Sequence, residues 1–204
     1  MTTWAIVPVK PLSRAKSRLA RVLSNSERQG LSREFLEHTL ATLAQVHQIQ
    51  RTLVISRDTE ALTIARERGA HTVTESGAPE LNLALTRATQ VAAAFGARGV
   101  LVIPTDLPLL TAADVEQLLL LGDDEPVAVI APDRHGNGTN ALLVRPPQMF
   151  KYAFGPGSCQ KHLERARAAG ARALVCRLPG TGLDVDEPDD LRLYQETVIN
   201  HSGG

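Results

Sequence analysis

Apolar positions along the chain fall into two alternating rhythms. Residues 4–9 (WAIVPV), 51–56 (RTLVIS), 70–74 (AHTVT) and 99–104 (GVLVIP) are short runs rich in aliphatic and β-branched side chains, the pattern of buried strands. Between them the apolar residues recur at helical spacing. Leu31, Phe35, Leu36, Leu40, Leu43 and Val46 form one such series, and Leu81, Ala84, Leu85, Ala88, Ala92 and Phe95 another. Asp58 is placed to cap a helix running to Arg68, which Gly69 stops; Thr111 and Gly122 frame a further one in the same way. Two more apolar runs follow at 127–131 and 141–144. Residues 157–170 read as helix, 171–177 as strand, and 188–199 as helix with Pro188 in the first turn.

This alternation predicts an α/β fold with a doubly wound, mostly parallel sheet. No repeat or long linker divides the chain, so residues 1–200 are expected to form a single domain and 201–204 (HSGG) a disordered tail. In such sheets ligands bind beyond the carboxyl ends of the strands, so polar residues that follow strands are the ones to question.

Composition narrows the field mainly by exclusion. Lys plus Arg equals Asp plus Glu, at 22 each, so net charge gives no reason to expect nucleic acid or an anionic membrane as partner. No run approaches the ~18 apolar residues of a membrane span, and the two cysteines, Cys159 and Cys176, lack a C-x-x-C spacing. A cytoplasmic setting is the resulting expectation. The oligomeric state is left open, a homodimer included. The six histidines show no metal-ligand spacing and are expected mostly at the surface, and Cys159 is expected to be a small buried residue rather than a nucleophile.

Five stretches carry chemistry. After the first strand, VPVKPLSRAKSRLA crowds Lys10, Arg14, Lys16 and Arg18 into nine positions, enough positive charge to neutralise a nucleoside triphosphate. There is no G-x-x-x-x-G-K-[ST] and no G-x-G-x-x-G, so neither a P-loop nor a dinucleotide fingerprint is present. After the apolar strand at 99–104, TDLPLL offers Asp106 as an oxygen ligand for Mg²⁺. In LDVDEPDDL, an extended backbone would turn Asp184 and Asp186 to one side, an arrangement that invites a cation. Finally, PDRHGNGTNALL sets Gly136, Gly138, Thr139 and Asn140 between two strands, and FGPGSCQKHL sets Gly155, Gly157 and Ser158 at a helix start, where backbone N–H groups and a hydroxyl favour an anion. Each stretch alone is also compatible with an ordinary solvated turn or cap.

Taken in order from residue 7 to 191, the set resembles the 2-phospho-L-lactate guanylyltransferases of coenzyme F-420 biosynthesis, some bacterial members of which are described as phosphoenolpyruvate guanylyltransferases. The resemblance implies a Rossmann-like nucleotidyltransferase fold. It implies GTP and a small phosphorylated three-carbon acid as substrates, phosphoenolpyruvate ahead of 2-phospho-L-lactate, and Mg²⁺ as cofactor. By the same resemblance Asp106, Asp184 and Asp186 would hold the metal. Lys16 and Arg18 would meet the triphosphate and, with Asp106, act in catalysis; Lys10 would assist. Asn82 would contact the nucleoside, and Thr139, Gly155 and Ser158 would bind the acid. Cys159 after FGPGS and Glu187 in DVDEP depart from the family pattern. Two rival readings are a molybdenum-cofactor-type nucleotidyltransferase, whose glycine-rich first loop is absent here, and a non-catalytic nucleotide-binding module, which has no need of three aspartates.

Overall fold

A computed structural model describes residues 2–77 and 80–202 of the 204-residue chain. Seven strands form one sheet: β1 (Thr3–Val9), β2 (Ile49–Ser56), β3 (His71–Thr74), β4 (Gly99–Val102), β5 (Val127–Pro132), β6 (Thr139–Arg145) and β7 (Arg172–Val175), in the spatial order β3-β2-β1-β4-β6-β5-β7. The helices are α1 (Asn25–Ala44), α2 (Thr59–Glu67), α3 (Leu81–Ala94), α4 (Ala112–Leu121), α5 (Ser158–Ala168), the single turn α6 (Pro179–Gly182) and α7 (Pro188–Ser202). The expected α/β architecture is therefore present, and every strand but one runs parallel. The exception is β6, which pairs antiparallel with both β4 and β5.

The reversal has a local cause. β5 and β6 are joined by the short turn 133–138, too short for the crossover that a parallel pair requires. Asp133 organises the turn by accepting the N–H groups of Asn137 (2.9 Å) and Gly138 (2.8 Å). A Cβ on Gly138 would come within 2.7 Å of the Asp133 carboxylate, so the turn closes only over glycine.

Helices cover both faces, as the continuous burial of the central strands requires. One core lies between the sheet and α1, α2 and α4, with Leu36, Leu40, Leu43, Ala65 and Leu118 on Val7, Val54 and Leu101. The other lies under α3 and α5, with Leu85, Ala88, Leu163 and Ala166 on Ile6, Val100 and Leu142. Several caps hold as expected. Asp58 accepts the N–H groups of Glu60 (2.9 Å) and Ala61 (3.3 Å), and Thr111 forms a reciprocal capping box with Asp114. α1 begins at Asn25, one turn and more before its apolar series, because Ser24 and Glu27 make a second capping box. α7 extends through His201 and Ser202, which had been assigned to the tail; Gly203 and Gly204 lie outside the described residues. Among the described residues no helix is long and apolar enough to cross a membrane.

Candidate active site

The strand order reverses between β1 and β4, since β2 lies on one side of β1 and β4 on the other. A cleft of about 350 Å³ opens there at the carboxyl ends of the strands. Lys10, Arg14 and Lys16 line it from the loop after β1, Asp106 from the segment after β4, and Asp186 from the segment before α7.

The basic loop is folded rather than extended. It makes two short 3₁₀ turns, Leu12–Arg14 and Ser17–Arg21, and Leu12 donates its backbone N–H to Asp58 Oδ2 at 2.7 Å. Asp58 thus caps α2 with one oxygen and anchors the loop with the other. Lys16 lies between the two turns with φ 54° and ψ 36°, a left-handed conformation that a lysine adopts only when its surroundings hold it there. Its side chain runs inward and is 8% exposed; Nζ lies 3.3 Å from Asp186 Oδ1 and 3.8 Å from Asp106 Oδ2, above the Phe35 ring. Arg18 points away into solvent and pairs with Glu187 at 3.2 Å. Lys10 is exposed at the rim.

The three aspartates come together. Leu183 and Val185 are buried beside Leu19 and Phe35, which turns the alternating Asp184 and Asp186 away from that cluster, as the D-x-D spacing predicts; Asp186 lines the cleft and Asp184 does not. The backbone of Val185 donates to Asp106 O at 3.0 Å and locks the two acidic segments together. Asp184 accepts from Asn140 Nδ2 at 3.1 Å, and Asn140 also donates to Thr181 O. Burial raises the Asp184 pKa above the usual carboxylate range, and the charges of Asp106 and Asp186 raise it further against the pull of the Asn140 bond. Asp106 Oδ1 is buried with no hydrogen-bond partner. A buried carboxylate oxygen without a donor, beside two more carboxylates, fits a hard cation that takes oxygen ligands. Among the described residues no three His, Cys, Asp or Glu side chains enclose an ion by themselves. Mg²⁺ commonly uses one or two carboxylates and completes its shell with phosphate oxygens and water.

The two small-residue turns also meet. The N–H of Cys159 donates to Asn137 O at 3.1 Å and joins the β5–β6 turn to the start of α5. Gly155 (φ 127°) and Gly157 (φ 70°) shape the approach, and Ser158 opens the helix at 1% exposure. Thr139 is buried with its hydroxyl 3.0 Å from His162 Nδ1. Asn82 braces the loop before α5. It is absent from the cleft lining, and its amide holds Phe154 from both sides, accepting the N–H at 2.7 Å and donating to the carbonyl at 3.2 Å. Cys159 is buried as expected, and that burial pushes its thiol pKa up, away from nucleophilic use.

Several residues of the site escaped the sequence reading. Arg57 and Glu75, an ion pair at 3.1 Å, and Glu80 line the cleft beyond β2 and β3, together with Ile55, Leu81 and Ala84. Phe35 was read as core alone. His162, one of six histidines expected mostly at the surface, is wholly buried. For Arg57 the position just after a strand was the available signal.

A phosphate-neutralising loop and an acidic cluster at the switch point of a doubly wound sheet define a nucleotidyltransferase. The fold agrees with a solved nucleotidyl transferase from Methanothermobacter thermautotrophicus, at a TM-score of 0.70 and 15% identity over 98% of this chain and 99% of that one. The family model described as "Guanylyl transferase CofC like" matches residues 3–203, and the chain belongs to that family. Over 191 residues it is 42% identical to a phosphoenolpyruvate guanylyltransferase of Rubrobacter xylanophilus, covering 94% of this chain and 92% of the relative. It is 39% identical over 191 residues to a 2-phospho-L-lactate guanylyltransferase of M. thermautotrophicus, covering 94% of this chain and 83% of that one.

Proposed function

We propose that this protein transfers GMP from GTP to phosphoenolpyruvate, with 2-phospho-L-lactate as the second acceptor in order of preference, and serves coenzyme F-420 biosynthesis in the cytoplasm. The observation that carries the proposal is the convergence of Asp106, Asp186 and Lys16 in the cleft with Asp184 near the other two aspartates, and the joining of the turns that bear Thr139, Gly155 and Ser158. The relatives' names supply the nucleotide and the acids.

Asp106, Asp184 and Asp186 would hold Mg²⁺, which supplies charge neutralisation at the phosphates. The chain's own residues position and neutralise. Lys10, Lys16 and Arg18 draw the triphosphate to the loop after β1. Thr139, Ser158 and the backbone near Gly155 hold the acid so that its phosphate oxygen faces the α-phosphorus. That oxygen forms a bond to the α-phosphorus while the bond to the bridging oxygen of the β-phosphate breaks, and pyrophosphate leaves. A phosphate monoester is already anionic at neutral pH, so no general base is required, in keeping with a site built from cations, carboxylates and hydroxyls. The test is incubation with GTP and each acid, with pyrophosphate release and product mass as readouts. A mass equal to acid plus GMP supports the reading; hydrolysis of GTP alone, or a product with neither acid, refutes it.

A further inference from the structure

Both ring nitrogens of the wholly buried His162 are engaged, and their partners fix its tautomer. Nε2 accepts the backbone N–H of Ala153 at 3.0 Å, which requires an unprotonated nitrogen. Burial, reinforced by the charge of Arg165, lowers the ring pKa to about 4, so at neutral pH the single ring proton is on Nδ1. Nδ1 is 3.0 Å from Thr139 Oγ1 and therefore donates to it. The Thr139 hydroxyl receives the hydrogen bond and its own proton is left pointing elsewhere; among the described residues it has no further partner. A buried O–H so directed suits an anionic oxygen.

The second nitrogen acts on the neighbouring turn. Ala153 is followed by Phe154, which Asn82 holds through both backbone groups. Two successive residues on the approach to Gly155 are thus pinned, one from α5 and one from α3. The Phe154 ring stands edge-on to the imidazole with centroids 4.8 Å apart and limits its rotation.

We propose that His162 is a positioning residue for the acceptor: one ring nitrogen aims the Thr139 hydroxyl at the acid, and the other fixes the turn that leads to Gly155 and Ser158. This rests on the acceptor assignment above. An asparagine at 162 places an amide N–H near the Nδ1 position and retains the donor to Thr139. A glutamine places an amide oxygen near the Nε2 position and retains the brace on Ala153. The experiment is a mutant cycle read as kcat/KM for phosphoenolpyruvate and, separately, for GTP. Thr139→Val is expected to lower the acid value roughly tenfold in the parent and in His162→Asn, but about twofold or less in His162→Gln, where the hydroxyl is already unaimed. GTP values stay level throughout. Equal losses from Thr139→Val in all three backgrounds, or GTP values falling in step with acid values, overturn the proposal. Nitrogen NMR of the labelled parent protein tests it without any variant: the proton resides on Nδ1 and its signal moves when phosphoenolpyruvate is added. A proton on Nε2, or a signal that the acid leaves unmoved, also overturns it. Absence of any guanylyl product from the parent enzyme is a different result and refutes the functional reading itself.

Discussion

Replacing Lys16 by methionine keeps the unbranched stem over Phe35 and removes only the ammonium. In the metal-free protein that ammonium is the counter-charge of two carboxylates, at 3.3 Å from Asp186 and 3.8 Å from Asp106. At those separations, and an effective dielectric near 20, each attraction is about 4–5 kcal/mol. Most of this is offset. The lysine side chain is 8% exposed and has lost its hydration, while Asp106 and Asp186, at 27% and 39% exposed, are still partly screened by water. A net loss of about 1–3 kcal/mol is expected in chelator, which for a domain of this size lowers Tm by roughly 3–10 °C. Added Mg²⁺ should then stabilise Lys16→Met more than the parent, because the ion no longer competes with an internal cation for the same carboxylates. Thermal melts of both proteins, in chelator and across a Mg²⁺ titration, measure this. Equal Mg²⁺ stabilisation of the two proteins would refute the idea that lysine and metal share one acidic site.

Further expectations follow from neighbouring residues. The folded-state pKa of Asp184 lies above the ordinary carboxylate value, so the native state binds that proton more tightly than the unfolded chain, and stability is lost as pH rises through the folded pKa. At pH 7 metal-free Asp184→Asn should therefore melt above the parent, with the gap closing in acid, while turnover collapses; a lower melt at pH 7 contradicts the assignment. Arg18→Ala removes an exposed ion pair and should change stability by less than about 0.5 kcal/mol, yet raise the KM for GTP several-fold without moving that for the acid; the reverse pattern in steady-state kinetics assigns the loop to the acceptor. Asn82→Ala releases Phe154 and should cost about 1–2 kcal/mol in denaturant unfolding and weaken the acid, whereas a rise confined to the KM for GTP would restore a nucleoside contact.

The parallel half of the fold was legible because its signals are local. Buried strands read as aliphatic runs, helices as apolar series, and Asp58 and Thr111 as caps, and the structure places each accordingly. Strand direction is a different kind of information: residues 141–144 read the same either way along the sheet, and the closeness of the two runs flanking the turn at 133–138 was the clue to reversal. Asp106, Asp184 and Asp186 were readable as a set, since each is charged and follows or adjoins an apolar run. Lys16 was singled out, but its inward course depends on a left-handed backbone and on Phe35, 19 positions away, neither of which leaves a pattern in neighbouring residues. The bonds made by Asn82 and His162 were hidden for a related reason. Their partners are backbone groups and hydroxyls, which no spacing rule reveals.

The reversed strand separates two jobs that one enzyme performs. β1 to β4 form a parallel unit that presents strand ends to the cleft, whereas β6 presents its first residues, Thr139 and Asn140, at the same edge. The hairpin turn is tied to the start of α5 through Asn137 and Cys159 and to the acidic segment through Arg134, so its sequence can change only where those contacts are kept. Asn140 and Arg134 tie the two sides together, through the bond to Asp184 and the ion pair with Asp190. On the acceptor assignment proposed above, a change of acid would be sought first in one hairpin and one helix start.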